Sequence, residues 1–121
     1  MIASVSSVLS RLPPPTRARL KSQDGLVFFF HLISSDLGGH SQKPFTAGYN
    51  RLLARIDDLV AKVEAAIDAF FDHDARTAFL FTADHGMTTW GMHGGGNEHE
   101  TSTPMLAWGS GLRGPLSLIH I

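Results

Sequence analysis

Two continuous apolar runs and one amphipathic stretch between them organise the chain. Residues 26–32 are apolar except for His31, and residues 77–82 form a second apolar run. Short uninterrupted apolar runs are typical of strands buried on both faces of a sheet. Residues 104–108, which precede a Gly-Ser-Gly breaker, predict a third short strand.

Between the first two runs, apolar side chains recur every three or four residues from Tyr49 onwards, which predicts one long amphipathic helix. Thr46 is a suitable N-cap for this helix. Strand, helix and strand in this order form a βαβ unit, whose crossover is right-handed and whose strands are parallel. The pattern therefore predicts an α/β fold with a mainly parallel sheet.

Carboxylate and imidazole side chains follow both predicted strands. Asp36 and His40 come after the first strand, and Asp84 and His85 come directly after the second. Because parallel strands end at the same edge of a sheet, the two pairs are expected to lie together. The glycine-rich segment 91–100 adds His93 and is predicted to fold over the same edge.

These residue types indicate a metal centre. The chain has no cysteine, so the ligands must be nitrogen and oxygen atoms, which suit a catalytic zinc ion and also manganese. Five candidates exceed the needs of one open zinc site and point to two adjacent ions. A pair of ions would clamp a phosphoryl group, which indicates phosphate ester chemistry.

Charge and length exclude some other partners. The formal net charge is -1 and the basic residues form no block, so the composition gives no reason to expect nucleic acid binding. No apolar run approaches the roughly 20 residues that a membrane-spanning helix needs, so no transmembrane segment is predicted in this chain. The 121 residues suffice for one small domain.

Each candidate ligand also has an ordinary structural explanation. Asp36 or Asp84 alone would fit a turn or a helix cap. His31 lies within an apolar run and is interpreted as a packing residue. The matched placement of two carboxylate and imidazole pairs favours the metal interpretation, whereas for His99 both interpretations stay open.

Longer motifs extend these observations. The segment 84–87 reads Asp-His-Gly-Met, segment 91–94 reads Gly-Met-His-Gly, and segment 100–104 reads Glu-Thr-Ser-Thr-Pro. Together with Asp36 and His40 they resemble the C-terminal half of the catalytic domain of GPI ethanolamine phosphate transferases, within the alkaline phosphatase superfamily. The resemblance covers roughly residues 26–112 and is greatest for the branch that modifies the first mannose.

The resemblance implies a fragment of an alkaline phosphatase-like sandwich that holds two zinc ions. By motif, one ion would be held by Asp36, His40 and His93, and the other by Asp84 and His85. The implied reaction moves phosphoethanolamine from phosphatidylethanolamine to a mannose of the GPI precursor. It would take place at the endoplasmic reticulum membrane, in a catalytic domain on the lumenal side.

The resemblance also implies parts that these residues do not supply. The family's threonine nucleophile belongs to the first half of the domain, so no catalytic residue is assigned here and the chain alone is expected to be inactive. We expect residues 1–24 to be an extended lead-in, 25–115 a partial catalytic domain and 116–121 an unrelated tail. The reading frame is expected to be truncated at both ends.

Two residues depart from the family pattern, and two alternatives to the transferase stay open, one of them because the nucleophile is missing. Leu37 stands where the family has a threonine, and Asn97 stands where a further histidine is expected. The alternatives are a phosphodiesterase or phosphatase of the same superfamily, or an inactive, truncated metal-binding fragment.

Overall fold

A computed structural model describes residues 5–114. Within this range the chain is mainly helical, with five helices and two strands. In chain order they are α1 (Val5–Ser10), α2 (Pro14–Ser22), α3 (Ser34–Gln42), α4 (Ala47–Phe70), β1 (Ala78–Thr82), α5 (Glu98–Thr101) and β2 (Met105–Gly109).

The long helix α4 confirms the predicted amphipathic helix and its cap. The Thr46 hydroxyl accepts a hydrogen bond from the Tyr49 backbone N–H at 3.2 Å, which satisfies one of the free donors of the first turn. The same hydroxyl donates to the Lys43 carbonyl at 2.9 Å. Thr46 therefore joins the end of α3 to the start of α4.

The apolar core lies at the opposite end of α4. Ile67, with only 2% of its surface exposed, and Phe70 pack with Leu9 of α1. On the same helix, the Glu64 carboxylate accepts a hydrogen bond from the Trp108 indole N–H at 3.0 Å, which ties β2 to α4. Burial of these few apolar side chains holds α1 against α4.

The sheet differs from the prediction. β1 and β2 confirm the strands predicted near residues 77–82 and 104–108, but they pair with each other in antiparallel orientation, from Ala78 opposite Gly109 to Thr82 opposite Met105. The predicted parallel sheet, its right-handed βαβ unit and the alkaline phosphatase-like sandwich are therefore wrong for this structure. The segment between the strands brings the chain back beside β1. β2 therefore runs antiparallel to β1 and forms hydrogen bonds with its backbone groups.

Residues 26–32 do not form the predicted first strand. They have no hydrogen-bonded partner strand within residues 5–114, and Val27 and Phe29 keep 88% and 86% of their surface exposed. An apolar run becomes a strand only when a neighbouring backbone supplies donors and acceptors. The apolar composition predicted burial but carried no information about that partner.

Two segments for which the sequence did not predict a helix are helical. Residues 34–42, predicted only to follow the first strand, form α3, and its Gly38 and Gly39 are buried where the helix meets its neighbours. Close packing at these positions offsets the low helix propensity of glycine. In the lead-in 1–24, predicted to be extended, α1 and α2 form, and Pro14 is the first residue of α2, where a missing N–H costs nothing.

The predicted tail 116–121 lies outside the described residues. Among the helices of residues 5–114, none combines the length and the apolar character that crossing a bilayer requires.

Replacing Ile67 with alanine tests the position of the core. The change leaves a cavity between α1 and α4 and is expected to lower the free energy of unfolding by about 2–4 kcal/mol. Leu59→Ala is the matched control, because Leu59 lies on the same helix with 40% of its surface exposed. Urea denaturation followed by circular dichroism measures both, and equal losses would contradict this core.

Candidate metal centre

Helix α3 presents two of the predicted ligands on one face. Asp36 and His40 are four residues apart, which places their side chains one above the other on a helix. The Nε2 atom of His40 lies 3.3 Å from Oδ1 of Asp36. The helix thus supplies a carboxylate and an imidazole at a spacing that its own geometry fixes.

Two further imidazoles reach the same carboxylate from other segments. His93 Nε2 lies 3.3 Å from Asp36 Oδ1 and 3.2 Å from His40 Nε2. His85, just after β1, has its Nε2 3.9 Å from the same oxygen, and its ring stacks on that of His93 with centroids 3.8 Å apart. The ligand atoms of Asp36, His40 and His93 all lie within 4.8 Å of one another.

Backbone carbonyls orient two of the imidazole rings. His40 Nδ1 lies 2.7 Å from the Gly91 carbonyl oxygen, and His85 Nδ1 lies 2.8 Å from that of Gly86. A carbonyl oxygen only accepts hydrogen bonds, so Nδ1 carries the proton and a neutral ring has its lone pair at Nε2. This arrangement, with Nδ1–H on a carbonyl and Nε2 toward a shared centre, is that of metal-binding histidines.

One oxygen of the partly buried Asp36 carboxylate lacks a hydrogen-bond partner within residues 5–114. Its Oδ1 atom is inaccessible to solvent and has no hydrogen-bond donor among the described residues. A buried carboxylate oxygen without a partner is costly unless positive charge lies beside it. Two imidazole nitrogens and one carboxylate oxygen are a donor set that suits zinc, so Asp36, His40 and His93 fit a metal ion.

Asp84 lies at the edge of this cluster. Its side chain is 83% exposed, its Oδ1 accepts a hydrogen bond from the His85 backbone N–H at 3.1 Å, and the same oxygen lies 3.9 Å from His85 Nε2. The structure therefore brings together four of the five side chains that the sequence singles out, namely Asp36, His40, His85 and His93, and Asp84 is joined to them through its neighbour His85. Their role as metal ligands stays a prediction, and for Asp84 the hydrogen bond to the next amide also matches a turn residue.

The predicted proximity is found for these four side chains, but it arises in a different way. Two parallel strands ending at one edge were expected to bring them together, whereas in the structure α3 and the segment 84–93 do so. Gly39 allows the close approach, because a methyl group on it would overlap the sulfur of Met87. Gly91, with φ +72°, fits against the Gly39 carbonyl, where any larger residue would collide with that oxygen.

Asn97 and His99 lie outside the triad formed by Asp36, His40 and His93. Asn97 directly precedes α5, and its backbone N–H donates to the buried Glu100 carboxylate at 3.3 Å, a contact typical of a helix start. Asn97, at the position where the family resemblance predicts a histidine, thus contributes to the start of α5. His99 is exposed on that short helix.

Sequence reasoning missed Tyr49, which it used only to mark the start of the helical pattern. The ring of Tyr49 lies beside Gly38 and Gly39, so it faces the helix that carries two ligands. Burial and, to a lesser extent, the negative charge of Asp36 raise the pKa of the Tyr49 phenol above its ordinary value. No motif marks this residue, because its place depends on how α3 packs on α4.

Comparison with known proteins finds neither a matching family model nor a matching solved structure. Curated proteins do match. The GPI ethanolamine phosphate transferase 1 of Saccharomyces cerevisiae is 47% identical over 94 residues, which are 78% of this chain and 10% of that protein. The chain belongs to the GPI ethanolamine phosphate transferase family.

Relatives from other organisms give the same result. GPI ethanolamine phosphate transferase 1 of Yarrowia lipolytica is 43% identical over 93 residues, or 77% of this chain and 10% of that protein. The protein of the same name from Homo sapiens is 39% identical over 94 residues, or 78% of this chain and 10% of that protein. The chain thus spans about a tenth of the length of these transferases.

Replacing Gly91 with alanine tests the contact that seats the His93 segment on α3. Gly91 and Gly94 both have positive φ, at 72° and 92°, but an added methyl group meets the Gly39 carbonyl only at Gly91 and open space at Gly94. Gly91→Ala is therefore expected to lower the unfolding free energy by about 1–3 kcal/mol more than Gly94→Ala. Urea titration of the metal-free chain measures the difference, and equal losses would show that the contact is not formed.

Proposed function

We propose that this chain is the metal-binding part of a phosphoethanolamine transferase that acts on the GPI-anchor precursor. The observation that carries the proposal is the convergence of Asp36, His40 and His93 around one buried carboxylate oxygen. It occurs in a chain whose relatives are named GPI ethanolamine phosphate transferase 1. The proposed metal centre is thus the part of the transferase that these residues contribute.

The proposed centre holds two zinc ions, although manganese also accepts nitrogen and oxygen ligands. Asp36, His40 and His93 would hold one ion, and His85 with Asp84 would contribute to the second. Bound zinc would supply positive charge to stabilise the attacking and leaving oxygens of the phosphoryl group. The chain's own contribution is orientation, because the Gly91 and Gly86 carbonyls fix the His40 and His85 rings.

The proposed donor is phosphatidylethanolamine and the proposed acceptor is a mannose of the GPI precursor, in the lumen of the endoplasmic reticulum. Donor, acceptor and location all follow from the motif resemblance. The name of the relatives, GPI ethanolamine phosphate transferase 1, supports the transferred group and the GPI-related substrate only. The nucleophile is assigned to a part of the longer transferase that these 121 residues do not include. The proposal therefore gives this chain ligands and orientation but no attacking group.

A chimeric transferase tests the proposed function. The matched 94-residue segment of the Saccharomyces cerevisiae relative is replaced by the corresponding residues of this chain, and phosphoethanolamine incorporation into GPI precursors is measured. The chimera is expected to retain transfer. His93→Ala within it is expected to reduce the rate at least about 100-fold, because removal of a ligand costs metal affinity directly.

His73→Ala in the same chimera is the matched control, because His73 is an exposed histidine. It is expected to leave transfer unchanged. Full transfer by the His93→Ala chimera, with the protein present in normal amount, would contradict the proposed role of this metal centre. His99→Ala in the same background decides whether His99 takes part.

The isolated chain is expected to be inactive. Zinc at the proposed ligands would supply charge stabilisation, but a covalent mechanism also needs a hydroxyl nucleophile, and none is assigned here. The measurement is hydrolysis of a chromogenic phosphodiester by the 121-residue chain with zinc added. Hydrolysis that His85→Ala abolishes would contradict the expectation and would require a nucleophile within this chain.

A further inference from the structure

A tight turn of residues 88–92 connects the exit of β1 to His93. The Thr88 hydroxyl accepts a hydrogen bond from the Met92 backbone N–H at 3.1 Å and donates to the Met92 carbonyl at 3.2 Å. That carbonyl also accepts from the Thr88 backbone N–H at 2.9 Å, and the Gly91 N–H donates to the Thr88 carbonyl at 2.9 Å. Four hydrogen bonds thus close the turn, and two of them use one side-chain hydroxyl.

The turn carries the groups that orient two of the proposed ligands. Its Gly91 carbonyl accepts from His40 Nδ1 at 2.7 Å, so the position of this carbonyl sets the ring orientation of a ligand on α3. Its last residue, Met92, directly precedes His93, so the end of the turn sets where the His93 backbone begins. A shift of the turn would therefore change the ring orientation of His40 and the position of His93 together.

We propose that Thr88 is a positioning residue of the metal centre, whose hydroxyl fixes the 88–92 turn and thereby aims His40 and His93 at Asp36. The inference rests on the proposed function, because it concerns ligands of the proposed metal site. The hydrogen bonds of Thr88 go to Met92 and Gly91, which are not proposed metal ligands. Thr88 acts through the Gly91 carbonyl and through the Met92–His93 peptide.

The chemistry of the contact explains why a hydroxyl is needed. A hydroxyl donates one hydrogen bond and accepts others at the same time, which a methyl group of similar size does not do. Thr88→Val keeps the shape of the side chain but removes the acceptor of the Met92 N–H. Thr88→Ser keeps the hydroxyl and removes only a methyl group.

The test compares zinc affinity among single variants of the 121-residue chain. Zinc chloride is titrated calorimetrically into the parent chain, Thr88→Val, Thr88→Ser and Thr89→Val. Thr88→Val is expected to bind zinc about 10–100-fold more weakly than the parent, the usual loss when a group that orients a ligand is removed. Thr88→Ser is expected to restore parent affinity, and Thr89→Val, at the exposed neighbouring threonine, is expected to match the parent.

Cobalt absorption and metal-free stability separate positioning from general destabilisation. Cobalt bound to Thr88→Val is expected to show an altered visible spectrum, whereas a purely structural effect would leave the spectrum unchanged and lower only the urea midpoint measured in EDTA. If Thr88→Val does not fold, Thr88→Ala gives the same comparison with Thr88→Ser. Equal weakening by the serine and valine variants would overturn the proposal, because the hydroxyl would not be the cause.

The failure of the positioning role is distinguishable from failure of the metal centre. Parent affinity in Thr88→Val together with lost binding in His40→Ala would overturn the role of Thr88 and leave the metal centre standing. Absence of zinc binding by the parent chain, with circular dichroism showing that it is folded, would overturn both proposals.

Discussion

The charge of the Asp36 carboxylate is the constraint on which the rest of the site depends. Its Oδ1 atom is the point where α3, the exit of β1 and the glycine-rich segment meet, through His40, His85 and His93. Imidazole lone pairs and a carboxylate oxygen repel one another at such distances unless a hydrogen atom or a cation lies between them. A bound metal ion would occupy that position, and it would need the Nε2 lone pairs of the rings to be free.

Close backbone approach is the second condition for this cluster. Gly38 meets Leu52 of α4, and Gly39 meets Met87, so α3 packs with almost no side-chain volume on its buried face. Larger residues at these positions would overlap the Leu52 and Met87 side chains, so those side chains would have to repack or α3 would have to shift. The low helix propensity of two adjacent glycines is the cost of placing the ligand-bearing face so near its neighbours.

The sequence allowed the local elements to be predicted better than their arrangement. The period of the apolar stripe and the hydroxyl of Thr46 predicted α4 and its cap, since both are properties of one segment. The pairing of β1 with β2 depends on how residues 83–104 return, which no local pattern records. The prediction of a parallel sheet was therefore wrong. The prediction of a strand at residues 26–32 was also wrong, because apolar composition does not show whether a hydrogen-bonding partner exists.

For the candidate site too, the residue types could be predicted from the sequence, but their arrangement could not. The residue types and their placement after two apolar runs picked out Asp36, His40, Asp84, His85 and His93. The sequence did not indicate that residues 34–42 form a helix, that Asp84 is exposed, that Tyr49 faces α3, or that Thr88 closes the turn before His93. Those facts depend on contacts between segments, whereas a side chain able to bind metal is visible in the sequence itself.

The length of α4 has a consequence of its own. Tyr49 and Leu52, which face the ligand helix, lie near its start, while Ile67 and Phe70 of the apolar core lie near its end. At a rise of 1.5 Å per residue, the 18 positions from Tyr49 to Ile67 separate the two regions by about 27 Å. A side-chain change in the core is therefore distant from α3 along this helix. The shorter connection between core and candidate site is β1, whose Phe79 packs against the core and whose end leads to His85.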